Sequence, residues 1–302
     1  MFEQQQFMSE CAKNSENIQR LHELKRQFDA VIEDRKVDLA KGLQGELERQ
    51  LALVHRKFFP ELDQIVESEQ TALGHFFGEE VKVPLPPAEI TSKRFKRWKE
   101  LGFELHYFPA KKVSAENSFS GQREKVDGLL YRAMKEGKLE PDSDEMRGEW
   151  VLVDTRDVPV CTPRPGFGGG WVFNEYKDDF LKDLDKTLSW RQKLPSRHRS
   201  QFSWEQLQDQ ETKNKFADFL KVRQVHPNQI TLPRAVEWNY LVNEFFPWWT
   251  NEEKHISEWL EDRYEGNRCL VMEDGGGLIV RIDPGKNPGH IGFRLVIRFS
   301  QK

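Results

Sequence analysis

Glu258-Trp259, Asp274-Gly275-Gly276-Gly277 and Ile291-Gly292-Phe293-Arg294-Leu295 decide how the chain reads. From Ile291 onward, Ile291, Phe293, Leu295, Ile297 and Phe299 alternate with Gly292, Arg294, Val296, Arg298 and Ser300. That period of two predicts a final strand with one buried face. Gly292 fits a close backbone approach beside a neighbouring strand. An arginine on a buried side needs a carboxylate, and Glu237 and Glu258 are the candidates for Arg294. Between the glycine triplet and the strand lies LIVRIDPGKNPGH, residues 278–290, which holds Pro284, Gly285, Pro288 and Gly289 and keeps no period. It reads as an irregular loop. A rigid strand preceded by a long loop of mixed chemistry is a scaffold for a variable binding surface.

Working upstream, Leu270–Met272 reads as a strand and Ile256–Tyr264 as a short helix or turn. The aromatic run Phe245-Phe246-Pro247-Trp248-Trp249 ends a helix that begins after Thr231, with Pro233 in its first turn and Val236, Tyr240, Leu241 and Phe245 facing inward. Ser203–Val225 reads as a helix with Ser203 as N-cap, and Asp178–Lys193 as an amphipathic helix. The loop Arg164–Trp171 is Gly-rich but lacks the Gly-Lys-Ser/Thr ending of a phosphate cradle, so it reads as a turn. Trp150-Val-Leu-Val-Asp154 is a buried-strand signature and is expected to open a C-terminal domain spanning 146–302.

Together these boxes resemble the formylglycine-generating, or sulfatase-modifying-factor, branch of the C-type lectin fold. Leu232-Pro233-x-x-x-Glu237-Trp238-x-Tyr240 looks like its first box. Glu258-Trp259, the glycine triplet and Ile291–Leu295 are similar to the later ones, in the same order. Two positions depart from that pattern: Arg234 stands where the family usually has Thr, and Gly277-Leu278 where it has Ser-Trp. The chain most resembles the variable proteins of diversity-generating retroelements, which carry a hypervariable segment just upstream of the equivalent of Gly292-Phe293-Arg294.

The resemblance implies an α+β chain whose C-terminal domain has short antiparallel strands and binds a protein ligand without catalysis, through the loop between Gly277 and Ile291. The expected ligand-binding residues are Asp274, Leu278, Val280, Arg281, Asp283, Lys286, Asn287 and His290, with Trp248, Trp249 and Arg263 as aromatic and cationic anchors. Glu237, Trp238, Glu258, Trp259, Gly292, Phe293 and Arg294 are expected to be structural. An oxidoreductase of the formylglycine-generating type is the alternative, with an oligomeric interaction protein beside it. That enzyme chemistry uses two cysteines after the glycine box to hold copper, and no cysteine follows Gly277. No cofactor is expected, and a calcium ion in a structural role stays open.

The N-terminal region, residues 1–78, reads as a long helix or helical hairpin, with stripes such as Leu39-Leu43-Leu47-Leu51 and a break at Pro60. Its expected role is packing or oligomerisation. His22, His55 and His75 are scattered and make no paired metal motif. Residues 79–145 read as a linker and a small α+β segment. Within it lie the basic helix from Lys93 to Lys99, a strand Phe103–Phe108 and a helix Gln122–Lys138. Phe95, Trp98 and Leu101 at steps of three put the apolar side of the basic helix inward, so its cations are expected to be solvated.

The net charge of −4 is a balanced mixture and gives no electrostatic case for nucleic acid or membrane. No apolar run approaches the roughly 18 residues of a membrane span. Cys11, Cys161 and Cys269 lack metal spacing and read as reduced thiols, so a cytoplasmic location without a signal peptide is expected.

Overall fold

The computed structural model describes residues 59–87, 90–113, 136–156, 202–220, 225–250 and 291–299. It adds strands at 161–163, 171–173, 257–264, 267–272 and 278–282, and scattered helical residues between 19 and 50. The chain is α+β and divides into two compact units, 1–67 with 84–95, and 68–83 with 96–302. The helix expected at 122–138 as far as residue 135, the helix at 178–193, the turn at 164–170 and His55 lie outside the described residues; residues 136–138 are not helical, and Gly137 has a φ of 64°.

In the first unit, Phe59, Leu62 and Ile90 are buried, and the rings of Phe59 and Phe95 lie 5.1 Å apart. Helix α1 (Leu62–Phe77) starts just after Pro60, where the sequence breaks. Its second half belongs to the larger unit, as does most of α2 (Ser92–Glu100).

The larger unit is built on two four-stranded sheets. Strands β1 (Phe103–Phe108), β2 (Glu149–Asp154), β5 (Ile230–Thr231) and β10 (Val296–Phe299) form the first, in the order β1-β2-β10-β5, all antiparallel. Strands β6 (Ser257–Tyr264), β7 (Asn267–Met272), β8 (Leu278–Ile282) and β9 (Ile291–Phe293) form the second, in the order β8-β7-β6-β9. Here β9 runs parallel to β6. Strands β3 (Cys161–Pro163) and β4 (Trp171–Phe173) make a separate antiparallel pair. Helices α3 (Trp204–Gln208), α4 (Gln210–Leu220) and α5 (Ala235–Glu244) complete the described unit.

Several expectations are corrected here. The C-terminal domain does not begin near 146, because β1 pairs along its whole length with β2 and brings residues 103–108 into the same sheet. The helix expected over Ser203–Val225 is two helices: Asp209 is extended at the end of α3, and its carboxylate accepts the Thr212 N–H at the start of α4. Ser203 does cap α3, accepting from Gln206 N–H while Gln206 reaches back to Ser203 N–H. Residues 257–264 are strand rather than helix or turn. Residues 278–282 are also strand rather than irregular loop, since Leu278, Ile279 and Val280 suit a pleated ladder and Pro284 stands beyond its end.

The final strand is the most informative correction. Residues 291–299 are two strands in two different sheets, and both faces of each are buried. Arg294 and Leu295 carry the chain from one sheet to the other, and the Leu295 carbonyl accepts the Asp154 N–H at 2.9 Å. Gly292 lies opposite Glu258 in the parallel β6–β9 pair.

Candidate ligand-binding surface and the buried charges beneath it

The junction between the two sheets is held by arginines. Arg298, on β10, is buried among three carboxylates: Nη1 donates to Glu149 at 2.7 Å and to Glu237 at 2.8 Å, and Nη2 donates to Glu237 at 2.9 Å and to Glu261 at 3.0 Å. Its Nε donates to Thr231 Oγ1 at 2.9 Å. The pairing with Glu237 is two-pronged, the geometry that suits a planar guanidinium. Burial works against the charge on Glu237, but Arg298 and the Arg234 N–H outweigh it and hold the carboxyl below the ordinary glutamate range. The same carboxylates hold Arg298 protonated against its burial.

Arg294, 1% exposed, makes a second two-pronged pair, Nε and Nη2 to Glu258 at 3.1 and 2.7 Å. Its Nη1 donates to the carbonyls of Asp154 at 2.6 Å and Arg156 at 3.2 Å. The guanidinium lies 3.5 Å over the Trp249 ring, which stacks on Phe246 with centroids 4.3 Å apart. Trp238 Nε1 donates to Glu258 at 3.4 Å, and Trp259 Nε1 donates to the Phe202 carbonyl at 2.9 Å. The Glu-Trp boxes of the sequence therefore meet the two arginines, Glu237 with Arg298 and Glu258 with Arg294. Each of the three guanidinium nitrogens of Arg294 has a hydrogen-bond partner, as a buried cation requires.

A bulge makes part of this possible. The register of β6 against β7 shifts between Trp259 and Arg263, leaving Leu260, Glu261 and Asp262 outside the ladder. The freed backbone is tied elsewhere: Trp204 Nε1 donates to the Leu260 carbonyl, Glu261 N–H to the Pro233 carbonyl, and Arg268 Nη1 to the Glu261 carbonyl. The re-aimed side chains reach their cations, Glu261 to Arg298 and Asp262 to Arg234.

A second polar cluster lies between α1, β1 and α5. Glu69 accepts from Tyr107 N–H at 3.1 Å and Tyr240 O–H at 3.2 Å, and His106 Nδ1 stands 2.9 Å from its other oxygen. Burial, with the Glu69 carboxylate adding to it, pushes the Tyr240 phenol well above its ordinary value, and burial raises Tyr107 as well. In the unfolded chain these phenols ionise near pH 10. This stability is fully present below that value and is lost as pH rises toward the folded ones. Tyr240→Phe should flatten the alkaline loss, at a neutral-pH cost of about 1 kcal/mol for the missing hydrogen bond. Alkaline unfolding followed by circular dichroism and phenolate absorbance checks this, and an unchanged alkaline limb would refute it.

The expected anchors divide. Trp248 is 50% exposed at the turn Pro247–Thr250, available to a partner. Trp249 is 3% exposed and lies between Phe246 and Arg294, so its expected role as a binding anchor is corrected to packing. Arg263 is exposed and pairs with Glu140 at 3.2 Å. Leu278, Val280 and Arg281 stand on β8, while Asp274, Asp283, Lys286, Asn287 and His290 lie outside the described residues. Sequence reasoning missed Glu149, Arg234, Glu261, Asp262 and Arg298. Arg298 carried one signal, a cation set among alternating apolar residues.

Among the described residues, no group of three or more His, Cys, Asp and Glu side chains is placed to hold a metal ion, and no helix is long and apolar enough to cross a membrane. His22 is exposed on a helix, and His75 pairs with Glu244 at 2.9 Å. Comparison with family models, curated proteins and solved structures finds no match to this chain.

Proposed function

We propose that the chain is a non-catalytic ligand-binding protein with a C-type-lectin-like domain, resembling the variable proteins of diversity-generating retroelements, and that it recognises a protein ligand through the segment between Gly277 and Ile291. The observation that supports this most is where the segment is rooted. Strands β8 and β9 are the two edges of one sheet and run in the same direction, with Leu278, Met272, Ser257 and Ile291 in one row. Ile282 and Ile291 therefore sit at opposite corners, about 20 Å apart from strand spacing and rise. The eight residues 283–290 join two fixed ends, and the second end is clamped at once by Arg294. A scaffold whose ends are fixed by strand pairing and by the buried Arg294–Glu258 pair can tolerate change in the segment that joins them.

Two measurements test this. Replacing Asp283, Lys286, Asn287 and His290 together by serine should leave the melting temperature within about 2 °C, as surface substitutions do. The same change should remove binding to any protein partner selected with the native chain. A collapse in stability, or binding that survives, would count against the reading. The gene's flanks supply the second test. A near-identical copy of the segment encoding Cys269–Phe299, beside a reverse-transcriptase gene and differing where the copy has adenines, would mark the surface as diversified. Flanks without such a copy would leave it a fixed surface.

A further inference from the structure

Residues 140–145 make two tight turns in succession. Ser143 N–H donates to the Glu140 carbonyl at 3.1 Å, and Glu145 N–H to the Asp142 carbonyl at 3.0 Å. Pro141 precedes Asp142, whose φ of 69° makes it the one residue besides glycine with a positive φ among the described residues. Glycine or asparagine suits such a position at least as well, so what aspartate adds there is its charge. The buried Arg234 fixes the loop by donating to the carbonyls of Asp142 and Glu145.

Two adjoining clefts border this loop, of about 340 and 410 Å³, and Glu140, Pro141 and Asp142 line both. The cations that line them are already engaged. Arg147 pairs with Glu261 at 3.5 Å, Arg234 stands 3.5 Å from Asp262, and Lys112 stands 3.4 Å from Asp144. Glu140 is taken by Arg263 at 3.2 Å. The carboxylates of Asp142, exposed, and Glu145, half-buried, are left with neither a cation nor a hydrogen-bond donor among the described residues. A second observation points the same way. Ser143 lines the larger cleft and is 1% exposed, and its Oγ faces Asp262 without meeting the geometry of a hydrogen bond. A buried hydroxyl without a partner calls for a group that the free chain does not hold.

We propose that this groove binds a cationic side chain, arginine or lysine, carried by a protein partner. Two uncompensated carboxylates and a spare hydroxyl accept hydrogen bonds, and a guanidinium or an ammonium brings only donors. The loop is held in place by Arg234 before any ligand arrives, so little ordering is left to oppose binding. The groove is open to solvent, which suits a side chain presented from another surface. Its position joins it to the recognition segment. Glu140 N–H donates to the Arg263 carbonyl at 3.3 Å, and Arg263 shares a row with Arg268 and Ile282, from which residues 283–290 depart. Two strand spacings, about 10 Å, separate Arg263 from that root. That the cation belongs to the ligand of the segment rests on the function proposed above; the groove's preference for cations does not.

Titration of the full chain with capped Gly-Arg-Gly and Gly-Lys-Gly peptides, followed by backbone amide shifts in two-dimensional NMR, tests the groove. Gly-citrulline-Gly is the control, because citrulline keeps nearly the shape of arginine and lacks its charge. Residues 139–147 and 261–263 should shift with a cationic peptide, and citrulline should bind at least roughly tenfold more weakly, the loss of one charge-assisted contact. Asp142→Asn and Glu145→Gln should each weaken binding by roughly the same factor. Asp142→Asn should melt no lower than wild type, since asparagine suits the left-handed φ. Equal shifts with citrulline, no shifts in this loop with either cation, or unchanged binding in the double variant overturns the proposal. The chain with serine at 283, 286, 287 and 290 separates the two readings. It should bind the cationic peptides as the native chain does, whether or not the segment recognises a partner, and a loss of peptide binding there would place the cation site on the segment instead of the groove.

Discussion

Arg298→Met is expected to lower the thermal midpoint by about 10–20 °C, the largest effect of any single substitution in the described structure. Methionine matches the stem of arginine and leaves little cavity, so the loss is electrostatic. Glu149, Glu237 and Glu261 would remain in the sheet junction without the guanidinium that all three share. Removing one partner of a buried pair costs about 3–5 kcal/mol, and here three charges lose the same partner. Whole-protein stability is typically only about 5–15 kcal/mol. The pH response should reverse with it. In the native chain the lowered carboxyl of Glu237 contributes stability above the ordinary glutamate value, and this is lost as pH falls through its folded value. In Arg298→Met the stranded carboxylates gain by protonation, so the variant should become more stable relative to wild type as pH falls. A thermal-melt series from neutral to acid pH checks both statements. Adding Glu237→Gln to Arg298→Met should recover part of the loss, whereas strict additivity would mean that the two side chains are not coupled.

Arg294→Ala is expected to cost about 4 kcal/mol, or roughly 8–16 °C in melting temperature. It strands Glu258, frees the Asp154 and Arg156 carbonyls and removes the cation from the face of Trp249. Arg294→Lys keeps the charge but cannot form the two-pronged pair or cover the ring, so it should recover only part of the loss. The variant should also change tryptophan fluorescence below the melting transition, because Trp249 loses the cation over its ring face while Phe246 stays stacked on it. A melting temperature equal to wild type would show that the sheet junction is held by packing alone.

Much of the junction was legible. Arg294 stands out as an arginine in an apolar strand, which needs a carboxylate if buried; of its two candidate partners Glu258 holds it, while Glu237 pairs with Arg298 instead. The strands at 103–108, 150–154 and 270–272 were legible from their runs of β-branched and aromatic residues. The rest was hidden for physical reasons. In β6 the bulge at Leu260–Asp262 breaks the period of two that identifies a strand. In 291–299 the alternation is real, but it does not separate core from solvent: the arginines stay inside because carboxylates from β2, β6 and α5 neutralise them there. Glu149 and Arg298 are far apart in sequence, and no local pattern announces such a pair. Trp249 looked like a surface anchor beside Trp248 because adjacent aromatic residues in a turn give no sign of which one points inward.

The strand order also sets a timetable for synthesis. In the first sheet β10 lies between β2 and β5, although seven described strands, β3 to β9, separate β2 from β10 along the chain. A nascent chain can pair β1 with β2 early, but the other edge of β2 waits for residues 296–299. Until they emerge, Trp150, Val151, Leu152 and Val153 border an unfilled slot, and Glu149 and Glu237 have no Arg298. Such a chain folds late and cooperatively, with an open apolar edge as its vulnerable stage. Ribosome stalling or truncation just upstream of Val296 would yield a species dependent on chaperones rather than a partly working domain.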